Sequence, residues 1–347
     1  MDYDFRESRL YKIIFYLWIR FNLTELFYNV KLNPYSLTKV LVDSTSPDHY
    51  HPSDFEKRFV SSIYNQCNKD QTEFLNLFEK KDILFLREII NRIRIINNNN
   101  YRIRKSLIFT KRELFEFKNL LTKIRNHTKY DLYGNTIKYQ HYIVRNPNSL
   151  FYLALRGGFN RLHKFNKRLH GGVFIDGGAY TGESSILLNY MFNPKRIYAF
   201  EPDVTKFNTL KVNLKNNHIS NCIITQKGLG RRKGKIFLEP QGNGASYITK
   251  QPTKYSNEIN IDKIDNLFKE NVDLIKLDVE DSEYDAIKGA TKIIIKYKPV
   301  LFIAMYHSGK NFFEVPKLIR KIRSDYKYNV FKQFPYSPFA DTTLIAF

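Results

Sequence analysis

The sequence has few of the residues from which disulfide frameworks, metal clusters or membrane spans are built. Its 347 residues include two cysteines, Cys67 and Cys222, whose spacing fits neither a disulfide framework nor a metal site. The longest early apolar run, residues 13–19, is far shorter than the roughly 20 residues that a membrane helix needs. The first residues are acidic, which is unlike a signal peptide. We therefore expect a cytoplasmic protein without a transmembrane segment, although basic residues beside the apolar run leave peripheral membrane contact open.

Acidic residues are also scarce. The chain has 34 acidic against 56 basic residues, a formal net charge of +22. Residues 101–170 hold 16 basic and 3 acidic residues, whereas residues 171–347 hold 26 and 18. This concentration of positive charge could steer an anionic partner such as a nucleotide sugar or a lipid-linked glycan, but a lysine-rich surface without any partner explains it equally well. Nucleic acid is not expected, because no nucleic-acid-binding module is recognisable.

The first 130 residues predict a mainly helical N-terminal domain. Capping boxes at 53–56 and 110–113 indicate two helix starts, and residues 72–96 predict another long helix. The sequence of this domain indicates no catalytic or cofactor-binding residues. Recognition of the substrate, homo-oligomerisation and contact with a glycosyltransferase all remain open for it.

Residues 131–347 predict a second, α/β domain. A hairpin around Gly134-Asn135 and a short helix that ends at Gly157 lead into it over residues 131–170. Strands and helices then alternate from residue 171 onward, which predicts a mostly parallel sheet covered on both faces. The predicted strands are 173–177, 196–201, 222–227, 273–279, 299–306, 328–334 and 342–347. The predicted helices between them are 182–191, 203–216, 283–297 and 312–324.

The last two strands are joined by a loop too short for a helical crossover, so they must pair antiparallel. A doubly wound sheet with this ending is typical of Rossmann-like methyltransferases more than of dehydrogenases.

A glycine-rich turn follows the first strand of this domain, in the stretch "VFIDGGAYTGESS". Gly178 and Gly182 allow a tight turn and close approach of a ligand to the backbone. The spacing is not that of a dinucleotide-binding loop. Asp176 adds negative charge beside the turn, which suits a cationic ligand better than a pyrophosphate.

Acidic residues end two further strands. Glu201, in "EPD", is placed to accept hydrogen bonds from both hydroxyls of a ribose, and capping of the next helix is the structural alternative. Asp278 and Glu280 leave the end of a buried strand in "LDVEDSEYD" and should face the ligand pocket. His307 follows Tyr306 at the end of the next strand, where contact with a substrate and a structural role are both open.

These motifs together resemble the FkbM-type, S-adenosylmethionine-dependent methyltransferases over residues 170–347. The matching segments, in order, are "FIDGGAYTGESS", "YAFEPD", "GLGRRKG", "IKLDVEDSEYDAIKGA" and "YHSGKNFFEVPKLI". Two positions depart from the family pattern: Tyr180 stands where asparagine is common, and Asp281 stands where glycine is usual.

The resemblance implies S-adenosylmethionine as cofactor and O-methylation of a sugar hydroxyl on a glycan, a nucleotide sugar or a natural product. The residues that it places at the cofactor are Asp176, Gly178, Ala179, Tyr180, Gly182, Glu201, Pro202 and Gly228. His307 is the first candidate for the base and Glu280 the second, while Asp278 orients either partner. A divalent ion on Asp278 and Glu280 is conceivable, but two carboxylates alone establish no metal site. An NAD-dependent dehydrogenase and a non-catalytic cofactor-binding scaffold remain as alternatives.

Overall fold

The computed structural model of the chain describes most of residues 49–347. The described ranges are 49–50, 54–67, 71–99, 103–130, 136–146, 149–240, 246–249, 252–335, 337–339 and 341–347. No helix within these ranges is long and apolar enough to cross a membrane.

A seven-stranded sheet forms the centre of the described structure. In spatial order its strands are β15 (Tyr328–Lys332), β16 (Thr342–Ala346), β14 (Val300–Ala304), β13 (Leu274–Leu277), β6 (Val173–Gly177), β7 (Arg196–Phe200) and β8 (Cys222–Thr225). Strand β16 lies antiparallel between β14 and β15, and the other neighbouring pairs are parallel. The predicted fold class is confirmed, and each predicted strand is present within two residues of its expected bounds.

Helices cover both faces of this sheet, as expected for parallel strands that are buried on both sides. They are α8 (Glu183–Phe192), α9 (Val204–Asn216), α11 (Glu283–Gly289), α12 (Thr291–Tyr297) and α13 (Gly309–Ile322). The single helix predicted over 283–297 is wrong, because the chain breaks at Ala290. A Cβ on Gly289 would lie 2.1 Å from the carbonyl oxygen of Gly230, so this break accompanies a close approach of two backbones.

A second, smaller sheet lies beside the first and was not predicted. It contains β9 (Gly228–Leu229), β10 (Gly234–Pro240), β11 (Ser246–Thr249) and β12 (Asn257–Asp262), in the order β11-β10-β12-β9. The short helix α10 (Ile264–Leu267) follows it. Strand β12 alternates incompletely between buried and exposed residues, which weakens the period-2 signal in the sequence.

The described part of residues 49–130 is mainly helical. It contains β1 (His49–Tyr50), α1 (Asp54–Cys67), α2 (Thr72–Leu75), α3 (Lys80–Asn98), β2 (Ile103–Arg104), α4 (Lys105–Ile108) and α5 (Lys111–His127). The helix predicted over 72–96 is interrupted between α2 and α3. The capping box at Thr110 and Glu113 is confirmed, whereas Ser53 of the other box lies outside the described residues.

The N-terminal helices pack directly on the sheet domain. Phe59 of α1 contacts the rings of Phe312 and Phe339, at centroid distances of 6.4 and 4.8 Å. Glu113 of α5 binds Arg92 of α3 and Lys332 of β15 in one ion network. Division of the chain into domains at residue 130 stays a prediction.

The lead-in to the sheet domain is a small sheet followed by helical turns. It contains β3 (Thr128–Tyr130), β4 (Ile137–Tyr139), β5 (Tyr142–Val144), α6 (Ser149–Ala154), a 3-10 segment (Arg156–Phe165) and α7 (Asn166–Leu169). Strands β3 and β4 pair antiparallel, and the turn predicted between them lies outside the described residues. Gly157 has a φ of +54°, and a Cβ there would lie 2.7 Å from the ring of Tyr152. The absence of a side chain at Gly157 therefore leaves room for the ring of Tyr152.

Candidate functional site

A cavity of about 240 Å³ opens at the carboxyl ends of β14, β13, β6, β7 and β8. Open α/β sheets bind their ligands at this edge. Since the five strands are neighbours, the residues that follow them meet in one cavity although they are far apart in sequence. We call the part next to β6, β7 and β8 the cofactor half, and the part next to β13 and β14 the acceptor half.

The glycine turn after β6 forms the floor where the two halves meet. The N–H groups of Gly178 and Ala179 both donate to the carbonyl oxygen of Phe200, at 3.0 and 2.9 Å. Gly178 has a φ of +72°, and a Cβ there would lie 1.8 Å from the carbonyl oxygen of Asp278. This position therefore accepts glycine alone. Gly182 precedes α8 with a φ of +101° and lies behind the cavity wall, against Leu210.

Asp176 lies beneath this turn rather than in the cavity wall. Its fully buried carboxylate accepts hydrogen bonds from Ser184 and Ser185, both at 2.6 Å, and pairs with Lys276 at 3.1 Å. Burial lowers the pKa of Lys276, but Asp176, Asp278 and Glu201 together outweigh it and the net shift is upward. Through these contacts, Asp176 fixes the glycine turn to the first residues of α8.

Glu201 enters the cofactor half after β7 and is held by the backbone. Its two carboxylate oxygens accept hydrogen bonds from the N–H groups of Tyr180, at 3.0 Å, and Asp203, at 2.9 Å. The residue is 6% exposed, and this burial raises its pKa to about 7. Asp203, next to Pro202, caps α9 instead, so the structural role considered for Glu201 belongs to its neighbour.

Tyr180 and Asp281 have the left-handed backbone conformation, with φ values of +51° and +79°. Residues other than glycine, asparagine and aspartate rarely adopt it. These are the two positions at which the sequence departs from the FkbM pattern of asparagine and glycine. The departures keep the backbone path and place a larger side chain on it.

The far wall of the cofactor half comes from the small sheet. Pro202, Lys227 and Gly228 line the cavity there. The sequence analysis missed the apolar side chains Leu229, Ile236, Leu238, Ile259 and Ile261, which complete the wall. These side chains make the wall apolar, and such a wall suits a flat ring such as a nucleobase.

The acceptor half contains a network of side chains from β13, β14 and α11. Asp278 lines the cavity and accepts a hydrogen bond from the hydroxyl of Tyr306 at 3.0 Å. Glu280 also lines the cavity, and burial raises its pKa. His307 approaches both carboxylates through Nε2, at 3.5 Å from Asp278 and 3.6 Å from Glu280.

His307 itself is locked behind this wall. Its side chain is 4% exposed, it is absent from the cavity lining, and its Nδ1 lies 2.8 Å from the Glu283 carboxylate. Burial lowers the pKa of His307, but Glu283, Glu280 and Asp278 outweigh this and raise it to about 10. A histidine that holds its proton at neutral pH is poorly suited to act as a base. The geometry favours the second candidate, Glu280, for contact with a substrate hydroxyl.

Several further residues of the cavity wall were not predicted. Ser149 and Tyr152 reach it from the lead-in, Lys206 from α9 and Ser282 from the turn before α11. No local motif marks them, because only the packing of α6 against the sheet domain brings Ser149 and Tyr152 to the cavity. The "RGG" turn at 156–158 is the one sequence signal that accompanies Tyr152.

The family comparison agrees with the motifs from which the resemblance was inferred. Residues 176–330 match the family model described as "Methyltransferase FkbM domain". This segment is an FkbM methyltransferase domain. The matched segment runs from the end of β6 into β15 and contains the glycine turn, Glu201, Asp278, Glu280 and His307, while Ser149 and Tyr152 lie before its first residue. No curated protein matches the chain.

Solved methyltransferase structures resemble the chain at low identity. A methyltransferase FkbM from Methylobacillus flagellatus KT is 20% identical, with a TM-score of 0.43, over 67% of this chain and 59% of that one. A Streptococcus mutans methyltransferase in complex with SAH is 12% identical, with a TM-score of 0.36, over 53% of this chain and 95% of that one. An rRNA methylase from Streptococcus thermophilus is 12% identical, with a TM-score of 0.36, over 53% and 93%.

Proposed function

We propose that this protein is a methyltransferase that uses S-adenosylmethionine to methylate a hydroxyl group, and that the hydroxyl belongs to a sugar. The observation that carries the proposal is the position of Glu201. Its carboxylate lies in the cavity, next to the glycine turn, and two backbone N–H groups hold it in place. A fixed acceptor of this kind at the end of the second strand suits the two hydroxyls of a ribose.

The cofactor half fits the remaining parts of S-adenosylmethionine. Gly178 and Ala179 offer bare backbone for the methionine end, with Tyr180 at its side. Pro202, Gly228 and the apolar wall of the small sheet would enclose the adenine. When bound, the cofactor supplies a methyl group on a positively charged sulfur and leaves as S-adenosylhomocysteine.

The acceptor half supplies the groups that a hydroxyl substrate requires. When the acceptor hydroxyl is methylated, the Glu280 carboxylate would accept the proton that the hydroxyl loses. Asp278, held by Tyr306, orients the hydroxyl. Positioning of this kind can supply about 7–11 kcal/mol of the rate acceleration in well-oriented systems.

For the acceptor we propose a chemical class, a sugar, rather than a particular molecule. A sugar ring presents several hydroxyls to the carboxylates of Asp278 and Glu280, in agreement with the glycan, nucleotide-sugar or natural-product acceptors that the resemblance implies. Any phosphate on the acceptor would bind away from these carboxylates, because like charges repel. The basic residues between 101 and 170 are the proposed place for it, in the N-terminal part of the chain.

Calorimetric titration with S-adenosylmethionine, S-adenosylhomocysteine and NAD tests the cofactor assignment. We expect one equivalent of either sulfur compound to bind, with a dissociation constant on the order of 1–100 μM, and no binding of NAD. Binding of NAD alone would replace the proposal by the dehydrogenase alternative. Binding of the sulfur compounds without methylation of any of a panel of methyl glycosides and nucleotide sugars would favour the scaffold alternative.

A further inference from the structure

A buried carboxylate without a basic partner lies at the start of α8. Glu183 is 5% exposed and lines the cavity directly after the glycine turn. One of its carboxylate oxygens accepts hydrogen bonds from the hydroxyls of Ser149 and Thr181, which carry no charge. No lysine, arginine or histidine in the described part of the chain forms an ion pair with Glu183. Because an unpaired buried charge is costly, a positively charged ligand would stabilise this carboxylate.

The pKa of Glu183 shows the same need for a cation. Burial raises it, and the hydrogen bonds from Ser149 and Thr181 lower it without cancelling that effect. Lys276 also lowers it, but the ammonium of Lys276 is paired with Asp176 at 3.1 Å. A cation bound in the cavity would lower the pKa of Glu183 further and keep the carboxylate ionised.

The hydroxyl of Tyr152 lines the same cavity. Tyr152 and Ser149 are three residues apart on α6, so they lie on one face of that helix. The ring of Tyr152 packs edge-on against Phe159, at a centroid distance of 6.2 Å, and fills the space that Gly157 leaves. Its hydroxyl forms no hydrogen bond with a residue that the structure describes. Packing therefore fixes the ring, and the hydroxyl can bond to a ligand.

The surroundings of Tyr152 favour a cationic ligand over an anionic one. Burial raises the pKa of its hydroxyl, and four nearby carboxylates add to this effect. They belong to Asp176, Asp278, Glu183 and Asp341. These charges repel a carboxylate or phosphate and attract an ammonium group. A protonated phenol can accept a hydrogen bond from an ammonium and still donate its own proton.

We propose that Glu183 and Tyr152 bind the α-ammonium group in the methionine part of S-adenosylmethionine. This binding site rests on the proposed function, which puts the methionine end of the cofactor on the glycine turn before Glu183. Asp176, the acid expected there from the sequence, is occupied beneath the turn by Lys276 and two serines. Tyr152 precedes residue 176, so part of the cofactor site would lie outside the segment that matches the FkbM family model.

Calorimetry of the full-length protein with three ligands tests the site. S-adenosylhomocysteine carries the ammonium and the carboxylate, its decarboxylated analogue carries the ammonium alone, and methylthioadenosine carries neither. Glu183→Gln and Tyr152→Phe should each weaken binding of the first two ligands about 10–100-fold, because each variant loses a hydrogen bond to a charged group. The affinity of either variant for methylthioadenosine should stay within about twofold of wild type.

Asp265→Asn and Tyr326→Phe are the matched controls, because each changes a buried hydrogen-bonding group outside the cavity. Asp265 accepts two backbone N–H groups in the first turn of α12, and Tyr326 donates to the carbonyl oxygen of Pro299 at 2.7 Å. Both controls should bind all three ligands with wild-type affinity. Far-ultraviolet circular dichroism identifies a variant that fails to fold, and the other variant of the pair then decides.

Three results would overturn the ammonium site. Equal losses of affinity for all three ligands would show that Glu183 and Tyr152 only support the shape of the cavity. Losses confined to S-adenosylhomocysteine would show that the two residues bind the carboxylate instead. Wild-type affinity of both variants for every ligand would show that they bind neither group. If the wild-type protein itself binds none of the three ligands, the proposed function is wrong, and the variants are not needed to show it.

Discussion

The two halves of the cavity are held in place by different means. In the cofactor half, Gly178, Ala179 and Glu201 are fixed by hydrogen bonds to the backbone. In the acceptor half, Asp278 and His307 are fixed by the side chains of Tyr306 and Glu283. The first half depends on where the main chain runs, and the second depends on which side chains are present.

This difference suits the two ligands that we propose. A cofactor is the same for every member of a family and can be bound by a backbone shape that tolerates variation around it. An acceptor differs between enzymes, and a network of side chains can be altered residue by residue. We therefore expect substitutions in the cofactor half to change ligand affinity, and substitutions in the acceptor half to change stability and turnover.

The largest effect is expected at Gly178, where the halves touch. Gly178→Ala would place a Cβ 1.8 Å from the Asp278 carbonyl oxygen and displace one of the two strand ends. S-adenosylhomocysteine affinity, measured by calorimetry, should fall more than about 100-fold, equivalent to more than about 2.7 kcal/mol. Gly171→Ala is the control, since Gly171 has a similar φ of +70° with nothing within 4 Å of the added Cβ. Equal losses in both variants would show that backbone conformation, not the contact between the halves, is responsible.

The next largest effect concerns stability in the acceptor half. Glu283→Ala would leave His307, Asn311 and the N–H of Val279 without their buried partner. The free energy of unfolding, from urea denaturation, should fall by about 3–5 kcal/mol, as for other broken buried pairs. Affinity of the folded variant for S-adenosylhomocysteine should change less than about threefold, below about 0.7 kcal/mol. Stability close to wild type would mean that the network does not hold this half together.

Substitution of Glu201 should have the opposite effect, a loss of ligand affinity with little loss of stability. Glu201→Gln should weaken S-adenosylhomocysteine binding about 10–100-fold, because a charged acceptor contributes about 1.5–3 kcal/mol per hydrogen bond.

The effect of Glu201 on stability depends on pH. The pKa of the Glu201 carboxyl in the folded protein, about 7, lies above the ordinary value of about 4.3. The stability due to the protonated group is therefore present below about pH 4.3 and lost as the pH rises through 7. At pH 8 the variant should be at least as stable as wild type, and a marked loss of stability there would contradict this assignment.

The smallest effect is a pH dependence of cofactor binding. In the proposed complex, ribose hydroxyls would donate to an ionised Glu201, so binding below the pKa of about 7 would require the loss of a proton. Affinity for S-adenosylhomocysteine should be constant above about pH 8 and fall about tenfold per pH unit below 7. Calorimetry between pH 5.5 and about 8.5 checks this, and Glu201→Gln should abolish the dependence. If the affinity of Glu201→Gln depended on pH as that of the wild type does, another group would be responsible for the pH dependence.

The same difference explains which parts of the site could be predicted from the sequence. Gly178, Glu201 and Asp278 could be placed because each follows a predicted strand within a few residues, and parallel strands bring their ends to one edge. The burial of His307 could not be foreseen, since it depends on Glu283 of another element. Tyr152 and the apolar wall of the small sheet were missed for the same reason: their position depends on tertiary packing rather than on a local pattern.

Hydrogen–deuterium exchange with and without S-adenosylhomocysteine tests most directly whether the two halves have separate tasks. We predict that the ligand slows exchange at residues 178–180, 201–203 and 227–229, which line the cofactor half. Residues 279–283 and 305–308 should exchange at nearly the same rate in both states. Protection confined to these last two segments would contradict the account, because it would place the cofactor in the half that we assign to the acceptor.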